Sequence, residues 1–392
     1  MPVRATDQLD LFGVPEEAHF LPAAHVPSAP QHFDVETIIL SKGSLDTPER
    51  ESFVRGICDV YPKAEIVELL DTPHNRIDLG ETDLLNLYER GKKTLLFGEL
   101  KSAVRFSEEK GNTCANYWHF SVYGFCPYVC KYCYLAGTPG VRFSPTVKIY
   151  VNLADILSEI DRRANLLQRP TAFYLGKLQD GLALDPLTAY STKLVPFFAE
   201  HAYARQIILT KSASVERLLD LEHGGHTIMS WSLNPPEVCE YYEENVPSVE
   251  ARIDAMRRCA EEGYPVRAVI MPIIPHGDWE AIYADFLRDL LRRVPLQRLT
   301  LGGICIYPNA LTLLERRLGK DNIVSGNLAG RRRSGDGRAR YTPEFRARLY
   351  QLIIDVARAI RLDLTIALCL EEPVVWKMVK NADGYGRCNC VL

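Results

Sequence analysis

Gly124-Phe-Cys126-Pro-Tyr-Val-Cys130-Lys-Tyr-Cys133-Tyr134 places three cysteines at x3 and x2 spacing, directly after the strand-like run YWHFSVYG. Three thiolates so spaced can wrap around three irons of a [4Fe–4S] cluster and leave the fourth iron open. An open metal position is where a substrate or cofactor coordinates, so the spacing points to catalysis. The same residues also admit a zinc site or three buried thiols, although zinc would want a fourth ligand at similar range and usually pairs C-x2-C motifs.

Outward from this loop, short apolar runs alternate with amphipathic stretches. ADILSEIDRRANLL lies beyond the loop; then come TAFYL and DPLTAYSTKLVPFFAEHA, QIILT and ASVERLLDL, TIMSWS and PSVEARIDAMRRCAEEG, VRAVIMPII and WEAIYADFLRDLLRRV, LTLGGICIY and NALTLLERRLG. Strand and helix alternating at this spacing predict right-handed crossovers and a parallel sheet. Six units predict an α/β fold built as an open partial (β/α)6 barrel over residues 116–320. Residues 34–115 are expected to form a small N-terminal α/β lobe: strand-like VETIIL, a helix from near Thr47, strand-like AEIVEL and a short LLNLYERG helix. Residues 1–33, rich in Pro and Ala from Gly13 onward, are expected to be a flexible tail. Residues 321–392 form an extension: a basic glycine-containing segment, a helix from about Pro343 to Arg361 with Phe345, Leu349, Leu352, Val356 and Ile360 on one face, a buried strand LTIALCL, and the tail NADGYGRCNCVL.

The 392 residues, 47% of them hydrophobic, suffice for a large core. No stretch reaches the ~20 consecutive apolar residues of a membrane span, and the start MPVRATDQLDLFG lacks a signal-peptide pattern, so no membrane association is expected. Eleven cysteines in such a chain point to a reducing compartment, the cytoplasm, where thiols bind metals or do chemistry. A net charge of −4 offers no global attraction to nucleic acid, so any such contact must be local.

Taken with the segments downstream of it, the cysteine loop resembles that of the spore photoproduct lyase family within the radical S-adenosylmethionine superfamily. Tyrosines flank the last cysteine as in that family, and VKIYVNLADIL, LDPLT, LTKSASVERLLDLEHGGHT, SWSLN and RIDAMRRCAEEGYPVRAVIMPII come in the family's order, the likeness covering roughly residues 34–370. The resemblance implies that Cys126, Cys130 and Cys133 hold a [4Fe–4S] cluster whose open iron binds S-adenosyl-L-methionine, cleaved to a 5′-deoxyadenosyl radical. It implies that Lys211 meets the cofactor's carboxylate, that Ser232 and Asn234 are polar cofactor contacts, and that Tyr132 and Tyr134 relay hydrogen atoms. It further implies an electron donor such as flavodoxin or ferredoxin, and a lyase acting on a UV thymine lesion in DNA. From the residues alone, Lys211 reads equally as a solvated lysine, Ser232 and Asn234 as helix caps before Pro235, and the tyrosines as core aromatics.

One departure stands out. The family carries a hydrogen-donating cysteine a few residues before the segment corresponding to LDPLT, and here Lys177 occupies its place. Lysine N–H bonds are far stronger than S–H, so the terminal step must differ. Either another thiol supplies the hydrogen, Cys388 and Cys390 first and Cys305 or Cys369 behind them, or the chain carries out radical modification of another base or lesion. The Cys388-Asn-Cys390 tail is expected either to be ordered or to cap the substrate by folding over the barrel mouth.

Two features point to DNA. Gln8, Leu9, Leu11 and Phe12 in QLDLF are similar to the pentapeptide that bacterial replication and repair proteins insert into the sliding clamp, with Leu and Phe as apolar anchors ahead of a tether. Arg331, Arg332, Arg333, Arg338 and Arg340 cluster around glycines where the family places a DNA-contacting hairpin, and can track phosphates. A non-catalytic iron–sulfur protein that binds DNA is the reading from another class. Lys211 and SWSLN speak against it, because a structural cluster needs no cofactor site.

Overall fold

The computed structural model describes residues 20–22, 25–31, 33–333 and 335–392. Its central feature is an eight-stranded sheet in which the strands lie side by side in chain order: β1 (Val104–Ser107), β2 (Tyr117–Phe120), β3 (Thr171–Leu175), β4 (Ala204–Thr210), β5 (Thr227–Leu233), β6 (Val266–Ile273), β7 (Arg298–Gly303) and β8 (Thr365–Leu368). Every pairing from β2 to β8 is parallel, while β1 pairs antiparallel with β2. A sheet of this order with helical crossovers is the open barrel the sequence predicts, extended by LTIALCL as β8 and by an edge hairpin strand.

The strands read as near-continuous apolar runs because both faces are covered. β5 is buried at all seven positions. The helix Leu153–Leu167 buries Leu153, Ile156, Leu157, Ile160 and Ala164 at helical spacing against the sheet. The helix Pro343–Ile360 starts where expected, with Thr342 capping Phe345 N and Pro343 in the first turn. Its buried face is Arg346, Leu349, Tyr350, Ile353, Ile354 and Ala357, whereas Ile360 is exposed. The expected face is therefore rotated, because buried Arg346 joins the core by pairing with Glu371 and Glu372.

The N-terminal lobe is a second sheet in the order Glu65–Leu69, Thr37–Ser41, Thr94–Gly98, Val147–Tyr150 and Tyr123–Gly124. Two of its strands come from the span assigned to the barrel, and β1 of the barrel comes from the span assigned to the lobe, so the expected boundary at residue 115 does not divide the chain. One hydrophobic core runs through both parts, from Leu21 to Val375. The described part of the expected flexible tail is docked on the fold. Leu21 is buried and its N–H bonds Glu49, while Ser28 N–H bonds the carbonyl of Pro186. Among the described residues no helix is long and apolar enough to cross a membrane.

Candidate active site at the carboxyl ends of the strands

The cysteine loop leaves β2 through Phe125, whose backbone is left-handed at φ 61°, and its short strand Val129–Cys130 pairs antiparallel with Glu243–Glu244. Beneath the loop, the Lys92 ammonium donates to the carbonyls of Cys126 at 2.5 Å and Tyr128 at 2.6 Å and lies over the Phe125 ring. Lys92 comes from the lobe helix Leu84–Lys92. A lysine at a helix end reads as solvated, so no sequence signal marks it as the cation under the loop. Burial lowers its affinity for the proton, opposed by the three loop thiols, all within electrostatic reach.

Cys126, Cys130 and Cys133 are all free. Burial pushes the Cys126 thiol up to about 12 and the Cys130 thiol well above its ordinary value, so iron would displace protons on binding. Among the described residues no three His, Cys, Asp or Glu side chains are gathered as around one metal ion. The x3 and x2 spacing of the three thiols fits a cube in which each thiolate grips a separate iron.

Next to the loop lies a buried charge network at the strand ends. Lys211, just after β4, donates to Ser232 Oγ at 2.5 Å and faces Glu243 at 3.6 Å. Glu243 is fully buried, pairs with Arg252 at 2.6 Å and accepts from the Tyr132 hydroxyl. Burial alone would push the Glu243 carboxyl up, but Lys211 and Arg252 outweigh it and hold it below the usual range. Burial likewise opposes the Lys211 charge, which Glu243 and Cys130 restore. Asp180 orders the neighbouring mouth, accepting from Thr210 Oγ1 and the backbone N–H groups of Lys211, Leu182 and Ala183. The structure thus brings Cys130, Tyr132, Lys211 and Ser232 together. Asn234 lies beside them with both ends of its amide used internally, one to Pro272 O and one to the Tyr283 hydroxyl. Glu243, on a two-residue strand, and Arg252, on an amphipathic helix, carry no sequence signal, since charged residues ordinarily face water.

Tyr134 is 37% exposed, and its hydroxyl donates to the backbone carbonyl of Lys177 at 2.5 Å. The Lys177 ammonium is tied back to Ser107 Oγ at 2.7 Å and Glu109 at 3.0 Å.

The Cys388-Asn-Cys390 tail is ordered, as one reading of the sequence expects, and does not cap the mouth. It lies inside the barrel, with Cys388 2% and Cys390 8% exposed, packed against Tyr117, Ala172, Tyr174, Ile207 and Ile228. Arg267 and Arg298, projecting from β6 and β7, hold its carbonyls, and Ser230 of β5 bonds Asn389 Oδ1.

Arg338 and Arg340 are not phosphate contacts. Both are buried and consumed by ion pairs, Arg338 with Asp336 and Glu109, Arg340 with Asp336. Arg340 lies in the strand Ala339–Tyr341, which is buried at every position, and the buried Arg338 just precedes it. The backbone of Arg331, Arg332 and Arg333 forms the partner strand Leu328–Arg333 of the same hairpin. Gln8, Leu9, Leu11 and Phe12 lie outside the described residues.

Residues 43–302 match the family model described as spore photoproduct lyase. The chain belongs to the spore photoproduct lyase family. The curated spore photoproduct lyase of Geobacillus sp. (strain Y412MC61) is 33% identical over 255 residues, covering 64% of this chain and 70% of the relative. That of Clostridium acetobutylicum is 30% identical over 257 residues, covering 64% and 72%. A solved spore photoproduct lyase complexed with dinucleoside spore photoproduct superposes with a TM-score of 0.74 at 24% identity, covering 86% of this chain and all of the other. That likeness fixes the fold as that of the solved spore photoproduct lyase. The family's cofactors are a [4Fe–4S] cluster and S-adenosylmethionine, and three free thiols beside a buried lysine–serine pair fit them.

Proposed function

We propose that this chain is a radical S-adenosylmethionine lyase that repairs a UV thymine lesion in DNA of the spore photoproduct type. The observation that carries the proposal is the joining of Lys211, Ser232 and Glu243 to the Cys130 strand at the mouth of the barrel. Cys126, Cys130 and Cys133 would hold the cluster, and Lys211 with Ser232 would hold the carboxylate of S-adenosylmethionine. When bound, the pair supplies a carbon-centred radical able to abstract hydrogen from a thymine. Glu243 and Arg252 keep the Lys211 ammonium charged and fixed, so its position is set before the cofactor arrives.

Scission of the lesion leaves a carbon radical on the thymine product that must gain a hydrogen atom. Lys177 cannot donate one, and its ammonium is held away by Glu109. The donor group at that position is the Tyr134 hydroxyl on the Lys177 carbonyl. A phenolic O–H bond is close in strength to the allylic C–H bond formed, so transfer is near thermoneutral and is drawn forward by reduction of the phenoxyl. The phenoxyl then takes an electron from a protein reductant such as flavodoxin or ferredoxin and a proton from solvent. Cys388 and Cys390 are the second reading, supported by the closeness of Cys390 to Tyr134, with Tyr132 as the inner relay member beside Lys211.

The test is incubation of reduced, reconstituted enzyme with dinucleoside spore photoproduct and mass spectrometry of the product. Restored thymidylyl-thymidine supports the proposal, while cofactor cleavage without it transfers the chemistry to another base or lesion. Tyr134→Phe should leave cofactor cleavage intact and suppress product. A Cys388→Ala, Cys390→Ala double variant with the same phenotype would instead name the tail as donor. For partners, Arg331, Arg332 and Arg333 would meet the DNA backbone. Gln8, Leu9, Leu11 and Phe12 would dock on the sliding clamp, which a Leu11→Ala, Phe12→Ala variant should no longer bind. Eleven free cysteines agree with a cytoplasmic setting.

A further inference from the structure

Four cysteines from three distant parts of the chain, none of them in the cluster loop, meet inside the barrel. Cys114 precedes β2, Cys369 follows β8, and Cys388 and Cys390 come from the tail. The Cys388 thiol interacts with those of Cys114, Cys369 and Cys390 at once, and the Cys114 and Cys369 thiols interact with each other. Backbone N–H groups point at two of the sulfurs: Leu370 N donates to Cys114 Sγ at 3.3 Å, and Cys390 N donates to Cys388. Amide donors aimed at sulfur stabilise thiolates, because charge-assisted hydrogen bonds are the stronger ones.

The charge around them is the independent observation. Arg267 and Arg298 are buried in the same lumen, and their hydrogen bonds go to neutral oxygens: the Gln297 side chain and the carbonyls of Cys388, Asn389 and Val391. Among the described residues, no carboxylate is paired with either. Arg298 Nε and Asn389 Nδ2 are buried donors with no acceptor. Two buried guanidinium charges beside four thiols make a buried cluster short of negative charge. A divalent ion held by four thiolates carries a net charge of about −2, as does an oxidised iron–sulfur cluster with four cysteines, and either would balance the arginines.

We propose that Cys114, Cys369, Cys388 and Cys390 form a second metal centre in the barrel lumen, a four-thiolate site for a thiophilic metal, filled by zinc or by an iron–sulfur cluster. Tetrahedral sulfur coordination selects these two classes. Among the described residues the four sulfurs do not surround a single point, and neither do those of the cluster loop, so loading gathers both sets. The centre would pin the C-terminal tail in the lumen beneath the active site. A metal-bound thiolate has no S–H to give, so this assignment leaves Tyr134 as the hydrogen donor.

The experiment uses the full-length Cys126→Ala, Cys130→Ala, Cys133→Ala variant, which lacks the catalytic cluster, so that its outcome is separate from whether the family chemistry holds. Elemental analysis and acid-labile sulfide are measured after anaerobic purification, and Co2+ is titrated into stripped protein to read sulfur-to-cobalt charge transfer. About one zinc per chain, or iron with matching sulfide, is expected to remain. Occupancy and the charge-transfer band should fall at least about ten-fold when Cys388→Ser and Cys390→Ser are added. Zinc retained identifies a mononuclear ion, and iron with sulfide an auxiliary cluster. Absence of metal, or metal retained after Cys388 and Cys390 are replaced, overturns the proposal. Should the variant fail to fold, the same analysis on wild type decides, since metal limited to one [4Fe–4S] cluster per chain would overturn it equally.

Discussion

Replacing Glu243 by glutamine removes one negative charge and almost no volume, and the structure sets what that costs. Glu243 is the carboxylate between Arg252 and Lys211, whose side chains are 1% and 12% exposed. Losing one partner of a buried pair costs about 3–5 kcal/mol, because the remaining charge is left uncompensated. Arg252 keeps the carbonyls of Pro247 and Ser232, so the low end, about 3 kcal/mol, is expected. At about 2 °C per kcal/mol for a long chain, the melting temperature at pH 7 should drop by about 6 °C. The affinity for S-adenosylmethionine should fall too, since Lys211 loses the group that fixes it. The pH dependence has a defined sign. The folded Glu243 carboxyl lies below its ordinary value, so its contribution is present above the unfolded pKa of about 4.3 and is lost as pH falls through the folded value. Thermal unfolding by circular dichroism and calorimetric titration with the cofactor are the assays. A loss of stability below about 1 kcal/mol would show that Lys211 and Arg252 do not depend on this carboxylate and refute the reasoning.

Three further outcomes are expected. Charge removal at Arg331, Arg332 and Arg333 should weaken DNA binding and reduce the magnitude of its salt slope by up to about three, whereas Arg338→Gln or Arg340→Gln should lower stability and leave the slope alone; fluorescence anisotropy at several salt concentrations separates them. Lys148 donates to the carbonyls of Ser144 and Thr146, and burial lowers its pKa to about 7. The unfolded chain therefore binds the extra proton, and denaturant titrations should show stability rising from pH 7 toward pH 10 by at most about 1.4 kcal/mol per unit, a slope Lys148→Met should abolish. A Cβ at Gly384 would lie 2.6 Å from Ala367 Cβ and 2.9 Å from its Cα, so Gly384→Ala should loosen the tail and speed hydrogen exchange at residues 384–392, with the rest of the barrel unchanged.

The alternation of apolar runs and amphipathic helices is enough to read the parallel barrel, because strands covered on both faces and helices covered on one leave different periodicities. The lobe boundary is not legible. Val147–Tyr150 comes after the cluster loop in sequence yet pairs with Thr94–Gly98, and strand pairing of this kind leaves no mark on local pattern. Cys126, Cys130 and Cys133 stand out by spacing alone, and Lys211 through the family resemblance. Glu243, Arg252 and Lys92 do not, because each is charged and sits on a polar helix or short edge strand where solvation is the ordinary fate. The arginine segment shows the same limit in reverse. Arg338 and Arg340 look like their neighbours in composition, but their burial and the presence of Asp336 turn them into structural ion pairs.

The place of Lys177 connects these observations. An ammonium cannot replace a thiol in radical transfer, yet this one is not idle: it bridges the loop after β3 to Ser107 and Glu109 at the β1 edge, and Glu109 in turn holds Arg338 of the hairpin. A lysine here thus ties the active-site rim to the base of the hairpin that carries Arg331, Arg332 and Arg333. Restoring a cysteine by Lys177→Cys would place a thiol beside the Tyr134 hydroxyl while cutting that tie. If Tyr134 is the working donor, the substitution should make product formation less sensitive to Tyr134→Phe, and at the same time weaken DNA binding through the loosened hairpin. Recovery of product in the Lys177→Cys, Tyr134→Phe pair, measured against Tyr134→Phe alone, tests the first effect independently of the second. No recovery, with DNA binding intact, would mean that Lys177 stands away from the path of the hydrogen atom.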